Sequence, residues 1–357
     1  MPNVGKSTLF NALLKKQVAL SANYPFATIE PNVGVVEVPD ERVEKLKEVV
    51  EKTEGLTPAF KIIPATVSFV DIAGLVKGAA TGEGLGNQFL SHIREVDVIV
   101  FVLRDFKNED IVRSGSENPE SDLEVLKTEL MLKDLEVIDK RIDSLTRELK
   151  PATPQDSRHQ VLLVLQKAKQ MVEAGKWLEE NLDSEELEKI KDLQILSTKK
   201  SIVVLNCDEG DLIKDNPFVK DYPLQSIVRI CAKMEEDLAS LSEEEQKEYL
   251  RELGVSEPGL NILIRKAYET LGLITFFTAG PKEVHAWTTN IGALAPKAAG
   301  VIHGDFERGF IAAEVIAWKD LVDIGGWSAA KTKGQIKTIG KTEEVKDGMV
   351  VEFRFSV

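Results

Sequence analysis

The sequence predicts an α/β protein built on an open, mostly parallel sheet that presents a phosphate-binding loop. Three observations carry this. Residues 1–8, Met1-Pro2-Asn3-Val4-Gly5-Lys6-Ser7-Thr8, hold the second half of a G-x-x-x-x-G-K-[ST] loop. The apolar stretch Val67-Ser-Phe-Val70 delivers Asp71-Ile-Ala-Gly74 to its end. Strand-like and helix-like segments alternate up to about residue 110, the rhythm of βα units.

Taken in order, Ser7 to Lys15 reads as the helix behind the loop, and Val33 to Val38 as a strand. Glu41 to Thr53 reads as a helix with Val43, Leu46, Val49 and Val50 on one face. Thr66 to Val70 and Val96 to Leu103 read as strands, the second continuously apolar except for Asp97. If Gly5 is the second loop glycine, the first would precede Met1, and the strand feeding the loop would lie further upstream. The expectation is therefore a chain lacking its first strand, a fragment or a start assigned at an internal methionine. Such a loss would bare a hydrophobic trough and free backbone hydrogen-bonding groups.

Residues 118–195 change character, being rich in Glu, Lys, Leu and Asp. Ile138, Ile142, Leu145 and Leu149 form one apolar stripe. Val161, Val164, Leu165, Ala168, Met171 and Val172 form a second, beyond Pro151 and Pro154. Two amphipathic helices joined by a Pro-containing turn make a helical arm, either a packed hairpin or a partner-binding coiled coil. Sheet logic resumes with the strands Ser201 to Leu205 and Gln225 to Cys231, then acidic helices and a helix over Gly259–Thr270. The arm is thus an insertion into one domain. Past residue 274 the strands Thr275–Thr278, Glu283–Thr289, Phe310–Ile316 and Met349–Phe355, with a helix or helix-turn over Val301–Gly309, describe a small mixed module.

A chain of 357 residues suits two or three domains, and 43% hydrophobic with 29% charged residues is ordinary for a soluble protein. No apolar run of ~18 residues is present, so no membrane span is expected. Nothing reads as a signal peptide, because the chain enters a loop motif at once. Cys207 and Cys231 are too few for a disulfide framework and fit a reducing cytoplasm. A net charge of -14 argues against broad, non-specific nucleic-acid binding while leaving room for a local basic face, and no sequence-specific DNA binding is expected.

Gly5 lets backbone N–H groups wrap an anion, and the helix behind it aims its N-terminal dipole at the same place. Lys6 supplies a point charge for the β- and γ-phosphates, and the Ser7 hydroxyl suits Mg2+. Asn3, Val4 and Thr8 complete the candidate phosphate-binding stretch. Asp71 suits a Mg2+ ligand acting through water, and Gly74 lets its N–H approach a γ-phosphate. Thr28, in Tyr24-Pro-Phe-Ala-Thr-Ile-Glu-Pro31, suits a switch that completes the Mg2+ shell. The candidate metal ligands are therefore Ser7, Thr28 and Asp71. The glycine-rich run Gly78 to Gly86 reads as a second switch rather than a dinucleotide site.

The base reader is rewritten. Where guanine-specific proteins carry N-K-x-D, this chain has Asn206-Cys207-Asp208-Glu209, with Cys231-Ala232-Lys233 in place of the companion loop. Adenine offers an amino donor where guanine offers an acceptor, so the guanine clamp should fail. His92, His159, His285 and His303 lack metal spacing and read as structural or surface residues. Trp287, Trp318 and Trp327 read as features of the last module, and the acidic runs at 235–237 and 243–245 as solvated helix faces.

With these motifs the chain resembles the Obg-like ATPases, the YchF-type branch of translation-factor-related P-loop proteins. The resemblance is carried by residues 2–8, Asn23 to Asn32, Val70 to Leu75, Gly82 to Asn87 and Asn206-x-x-Glu209. It extends through Phe276 to Gly280, Glu283 to Trp287, Ala295 to Ala299, Ile302 to Glu307 and Gly309 to Val315. It implies a P-loop G-domain (1–117 and 196–272), an inserted helical coiled-coil arm (118–195) and a C-terminal TGS domain of ubiquitin-like α+β shape (274–357). It also implies a monomer that prefers ATP to GTP, hydrolyses it slowly with Mg2+ and associates with the large ribosomal subunit. Asn3 matches a loop residue that helps bind K+ in related proteins, and Leu75 stands where a water-orienting Gln is found elsewhere. An Obg-type GTPase and a non-catalytic interaction module are the alternatives.

Overall fold

The computed structural model describes residues 2–21, 32–72, 85–107, 118–150, 156–214 and 227–356. The chain opens with α1 (Lys6–Ser21), β1 (Val33–Glu37), α2 (Arg42–Thr53), β2 (Lys61–Ile63) and β3 (Thr66–Val70). Next come α3 (Leu85–Glu95), β4 (Val98–Arg104), α4 (Pro119–Glu148), α5 (Arg158–Glu173) and α6 (Ser184–Ile190). Then follow β5 (Lys200–Asn206), β6 (Ile227–Ile230), α7 (Ala232–Leu238), α8 (Glu243–Glu252) and α9 (Gly259–Thr270). The last stretch holds β7 (Leu273–Gly280), β8 (Glu283–Asn290), α10 (Ala295–Ile302), α11 (Gly304–Arg308) and β9 (Phe310–Ala317). It closes with α12 (Trp318–Ile324), α13 (Trp327–Thr332), β10 (Lys337–Ile339) and β11 (Met349–Phe355).

The described residues fall into two compact units. One takes its residues from Met1–Lys16, Thr28–Gly34 and Val70–Ile262; the other takes them from Gln17–Ala27, Val35–Phe69 and Leu263–Val357.

In the first unit β4, β5 and β6 form a parallel sheet with β5 in the middle. Arg104 lies opposite Asn206, and Asn206 opposite Ile230, so the three strands end together. Ile202 to Leu205 are fully buried, which explains their unbroken apolar run. The carboxyl ends of parallel strands are where such sheets bind ligands.

The expected helical arm is α4 and α5, and both stripes read from the sequence are inward. Ile138, Leu145 and Leu149 are buried with Val164, Leu165, Ala168 and Val172. The start of α4 continues that core: Leu123, Leu126 and Leu130 pack in one cluster with Phe101, Leu103 and Leu205 of the sheet. Helix α4 starts where Asn118 accepts the Ser121 N–H at 2.9 Å and Pro119 occupies the first turn, where its missing N–H is harmless. Its Asp134 is buried. One carboxylate oxygen accepts the Leu196 N–H and the other the Ser197 N–H, both at 2.7 Å. That turn, Leu196–Thr198, leads into β5.

The second unit is a six-stranded sheet ordered β10-β9-β11-β7-β8-β2. β11 runs parallel to β7 and β2 parallel to β8; the other pairs are antiparallel. The apolar face of α2 (Val43, Leu46, Val49 and Val50) is buried as its periodicity predicts, and α2 packs on β7, β8 and α12. Arg42 at its start forks onto Asp40 and Asp347 and lies 5.0 Å over the Phe277 ring. Two strands have no counterpart in the sequence reading, nor do the helices α12 and α13. β2 is three residues ending against Pro64, too short to register, and an edge strand tolerates the neighbouring proline. β10 is equally short. Residues Val35–Phe69, which the sequence reading gives to the nucleotide-binding domain, share their unit with the C-terminal residues. Among the described residues no helix is long and apolar enough to cross a membrane.

Within this unit the Tyr268 hydroxyl is buried, donating to the Ile274 carbonyl at 3.0 Å and meeting the Thr275 and Thr288 hydroxyls at 2.9 and 3.0 Å. Tyr268→Phe removes this hub and strands those partners. It is expected to cost about 1–2 kcal/mol of unfolding free energy, read from urea denaturation.

Candidate nucleotide-binding site

The phosphate loop folds tightly because two of its residues take left-handed backbone. Gly5 has φ +86° and Asn3 has φ +59°. Glycine is required at the first of these. A side chain on Gly5 would overlap Asn206 Nδ2 and stand 3.3 Å from its Cγ. Behind the loop, α1 begins at Lys6 and Leu9 N–H bonds back to the Gly5 carbonyl at 2.9 Å. Its exposed N-terminal turn carries Ser7.

Lys6 forms a salt bridge with Asp71. Asp71 follows β3, and its N–H is held by the Asn32 carbonyl at 2.8 Å. The two groups assigned to the phosphate and the metal shell, 65 residues apart in sequence, are therefore adjacent.

Asn206 joins them from the end of β5. It is buried; its amide nitrogen donates to the Val4 carbonyl at 2.9 Å and its amide oxygen accepts the Ala232 N–H at 2.9 Å. One side chain thereby holds the phosphate loop and the Cys231-Ala232-Lys233 loop together. The loops after β4 and β5 are stitched as well. Asp105 N–H donates to the Asn206 carbonyl at 2.8 Å, and Lys107 N–H to Asp208 at 3.1 Å. Arg229 of β6 pairs with Asp105 at 3.2 Å and donates to the Asp211 carbonyl.

Cys207 is buried and its N–H donates to the Ile230 carbonyl at 2.9 Å. Burial pushes its thiol up to about 11 and raises that of Cys231 too, so both stay protonated at neutral pH. Glu209 and exposed Lys233 flank this edge, and Glu209 accepts a hydrogen bond from Tyr249 at 3.2 Å. Thr28, Gly74, Leu75 and, of the run Gly78 to Gly86, residues 78–84 lie outside the described residues.

Asn3, Val4, Gly5, Lys6, Ser7 and Thr8 thus line one loop, with Asp71, Asn206 and Ala232 against it. Sequence reasoning missed three supports, Asp105, Arg229 and Tyr249, whose partners are fixed by the sheet rather than by any local motif. Among the described residues no group of three or more His, Cys, Asp or Glu is arranged to hold a metal. One carboxylate at Asp71 and one hydroxyl at Ser7 fit Mg2+ only as part of a shell completed by phosphate oxygens and water.

A phosphate loop on a helix N-terminus, facing a carboxylate past one strand and a buried amide ending a central parallel strand, defines a P-loop protein of the GTPase fold. Residues 1–167 match the family described as "50S ribosome-binding GTPase", and residues 273–356 match the YchF-type GTPase C-terminal family, described as "Protein of unknown function (DUF933)". The chain belongs to the YchF family. It is 46% identical to the Ribosome-binding ATPase YchF of Haemophilus influenzae, and 44% identical to those of Escherichia coli O157:H7 and Bacillus subtilis. Each of these matches covers 100% of this chain and 98% of the relative. The structure of the Schizosaccharomyces pombe YchF GTPase superposes with a TM-score of 0.86 at 34% identity, covering 99% of this chain and 96% of that one.

Proposed function

We propose that this chain is a ribosome-associated nucleoside triphosphatase that binds ATP in preference to GTP and hydrolyses it slowly. One observation carries the reading: Lys6, Asp71 and Asn206 converge on a single loop, close enough to serve one bound nucleotide. Lys6 and the loop amides hold the phosphates. Ser7 and Asp71, with Thr28, would hold Mg2+, which when bound neutralises charge on the β- and γ-phosphates. Asn3 suits a K+ ion beside them. Leu75 cannot orient water, so turnover is slow until a cation, backbone group or partner supplies that stabilisation. At the base edge, Glu209 offers an acceptor to the 6-amino group of adenine. The relatives known as Ribosome-binding ATPase YchF support the reading. A C-terminal TGS-type module and a cytoplasmic location go with it.

Titration of the full chain with ATP and GTP tests the base choice. ATP is expected to bind at least about tenfold tighter, or about 1.4 kcal/mol. A second reading, GTP preference, has support from the relative described as a YchF GTPase and from the matching GTPase family; tighter GTP binding would establish it. Turnover in Mg2+ and K+ left unchanged by Lys6→Ala would instead come from a contaminating hydrolase and point to a non-catalytic module.

A further inference from the structure

Glu209 starts the short turn Glu209–Asp211 just past β5, and the oxygen Oε2 of its carboxylate accepts the Tyr249 hydroxyl at 3.2 Å. Tyr249 comes from α8, which is fastened by its own contacts. The helix begins on a reciprocal cap between Ser242 and Glu245. Leu250 of α8 is buried in a cluster with Cys231, Met234 and Leu238, and Tyr249, Leu253 and Val255 pack against that cluster. Cys231 opens the second base-side loop. One helix therefore reaches both base-side loops, Cys231 by packing and Glu209 by a hydrogen bond.

We propose that Tyr249 is a positioning residue for purine choice: it holds the Glu209 carboxylate so that its second oxygen accepts the exocyclic amine of adenine and opposes the O6 acceptor of guanine. The inference deepens the ATP reading and rests on it. A carboxylate on an exposed turn would otherwise sample several rotamers, and each one away from the base weakens discrimination. A donor fixed to one oxygen removes that freedom and leaves the other as a pure acceptor. The phenol remains a donor across the neutral range, because burial and the neighbouring Glu209 charge raise its ionisation. Rejection of guanine follows from two acceptors facing each other with no proton between them.

The test uses the full chain and three nucleotides: ATP, GTP and purine riboside triphosphate, which lacks the 6-amino group. Tyr249→Phe is expected to weaken ATP about 3–10-fold, the loss of one hydrogen bond's guidance, and to narrow the ATP-to-GTP ratio. Purine riboside triphosphate should change by less than about twofold, since it has no amine to read. Glu209→Gln should show the same nucleotide dependence, and the double variant should be no worse than the worse single one. Glu209→Ala, on the turn and away from the α8 packing, must repeat the ATP-specific loss, which keeps the test valid if Tyr249→Phe loosens the fold. Equal weakening of ATP and the amine-free analogue would overturn the proposal in favour of a purely structural tyrosine, and additive losses would do the same. A wild-type chain that prefers GTP, or binds neither nucleotide, removes the ATP reading and this role together; ATP preference untouched by Tyr249→Phe removes this role alone.

Discussion

Gly5→Ala is expected to weaken ATP binding by about 100-fold or more and to lower the melting midpoint of the chain. Two costs coincide at this position. The backbone sits at φ +86°, where an L side chain is strained by about 1–2 kcal/mol. The added methyl group would also overlap the Asn206 amide nitrogen. That amide cannot step aside freely, because it is buried and committed to Val4 on one end and Ala232 on the other. Moving it breaks two hydrogen bonds, each worth about 1 kcal/mol or more in a buried setting. The loop then no longer presents its amides as a cradle, so affinity falls further than stability does. Nucleotide titration beside a thermal melt reads both. The double change Gly5→Ala/Asn206→Ala relieves the overlap but neither the strain nor the lost bonds, and should not restore binding. Wild-type ATP affinity in Gly5→Ala would show that the loop is not the phosphate cradle.

Asp134→Ala is expected to destabilise the chain by about 2–5 kcal/mol. The substitution leaves the Leu196 and Ser197 N–H groups buried without an acceptor, at about 1–3 kcal/mol each. Asp134→Asn should also be costly, since its amide offers one oxygen to two donors and turns an NH2 group toward one of them. The pH dependence has a definite sign. Burial is the largest influence on this carboxyl and raises it from 3.8 to about 6, against the hydrogen bonds that lower it. Between those values the native chain binds more protons than the unfolded one, so this group makes unfolding free energy fall as pH rises from about 4 to 6. Urea midpoints measured across that window should change with pH by a more positive slope in Asp134→Asn than in the wild type. An unchanged slope would mean that Asp134 does not titrate there.

Much of the site was legible because it is written locally. Gly5-Lys6-Ser7 before a helix, a carboxylate ending an apolar strand and Asn206 ending another are each short patterns with a physical purpose. What binds them together is not local. Asn206 reaches Val4 across 202 positions, and nothing near either residue announces the pair. Asp134 lies in a helix crowded with Glu and Lys, where a charge ordinarily faces water; only the turn brought to it by the fold explains its burial. Tyr249 looked like one more residue of an acidic helix. The helical stripes of α4 and α5 were readable because burial there follows the 3.6-residue period, whereas β2 carries too few residues to show any period.

The strand and helix lent by Val35–Phe69 to the C-terminal sheet have a consequence for how this chain can be divided. A piece cut to begin at Leu273 would carry a raw edge along β8 and vacant seats where Val43, Leu46, Val49 and Val50 belong. The remainder would keep a greasy helix with nothing to rest on. The tail is therefore no detachable cassette: it is completed by sequence from near the opposite terminus, and recombination that separates the two would leave neither half whole.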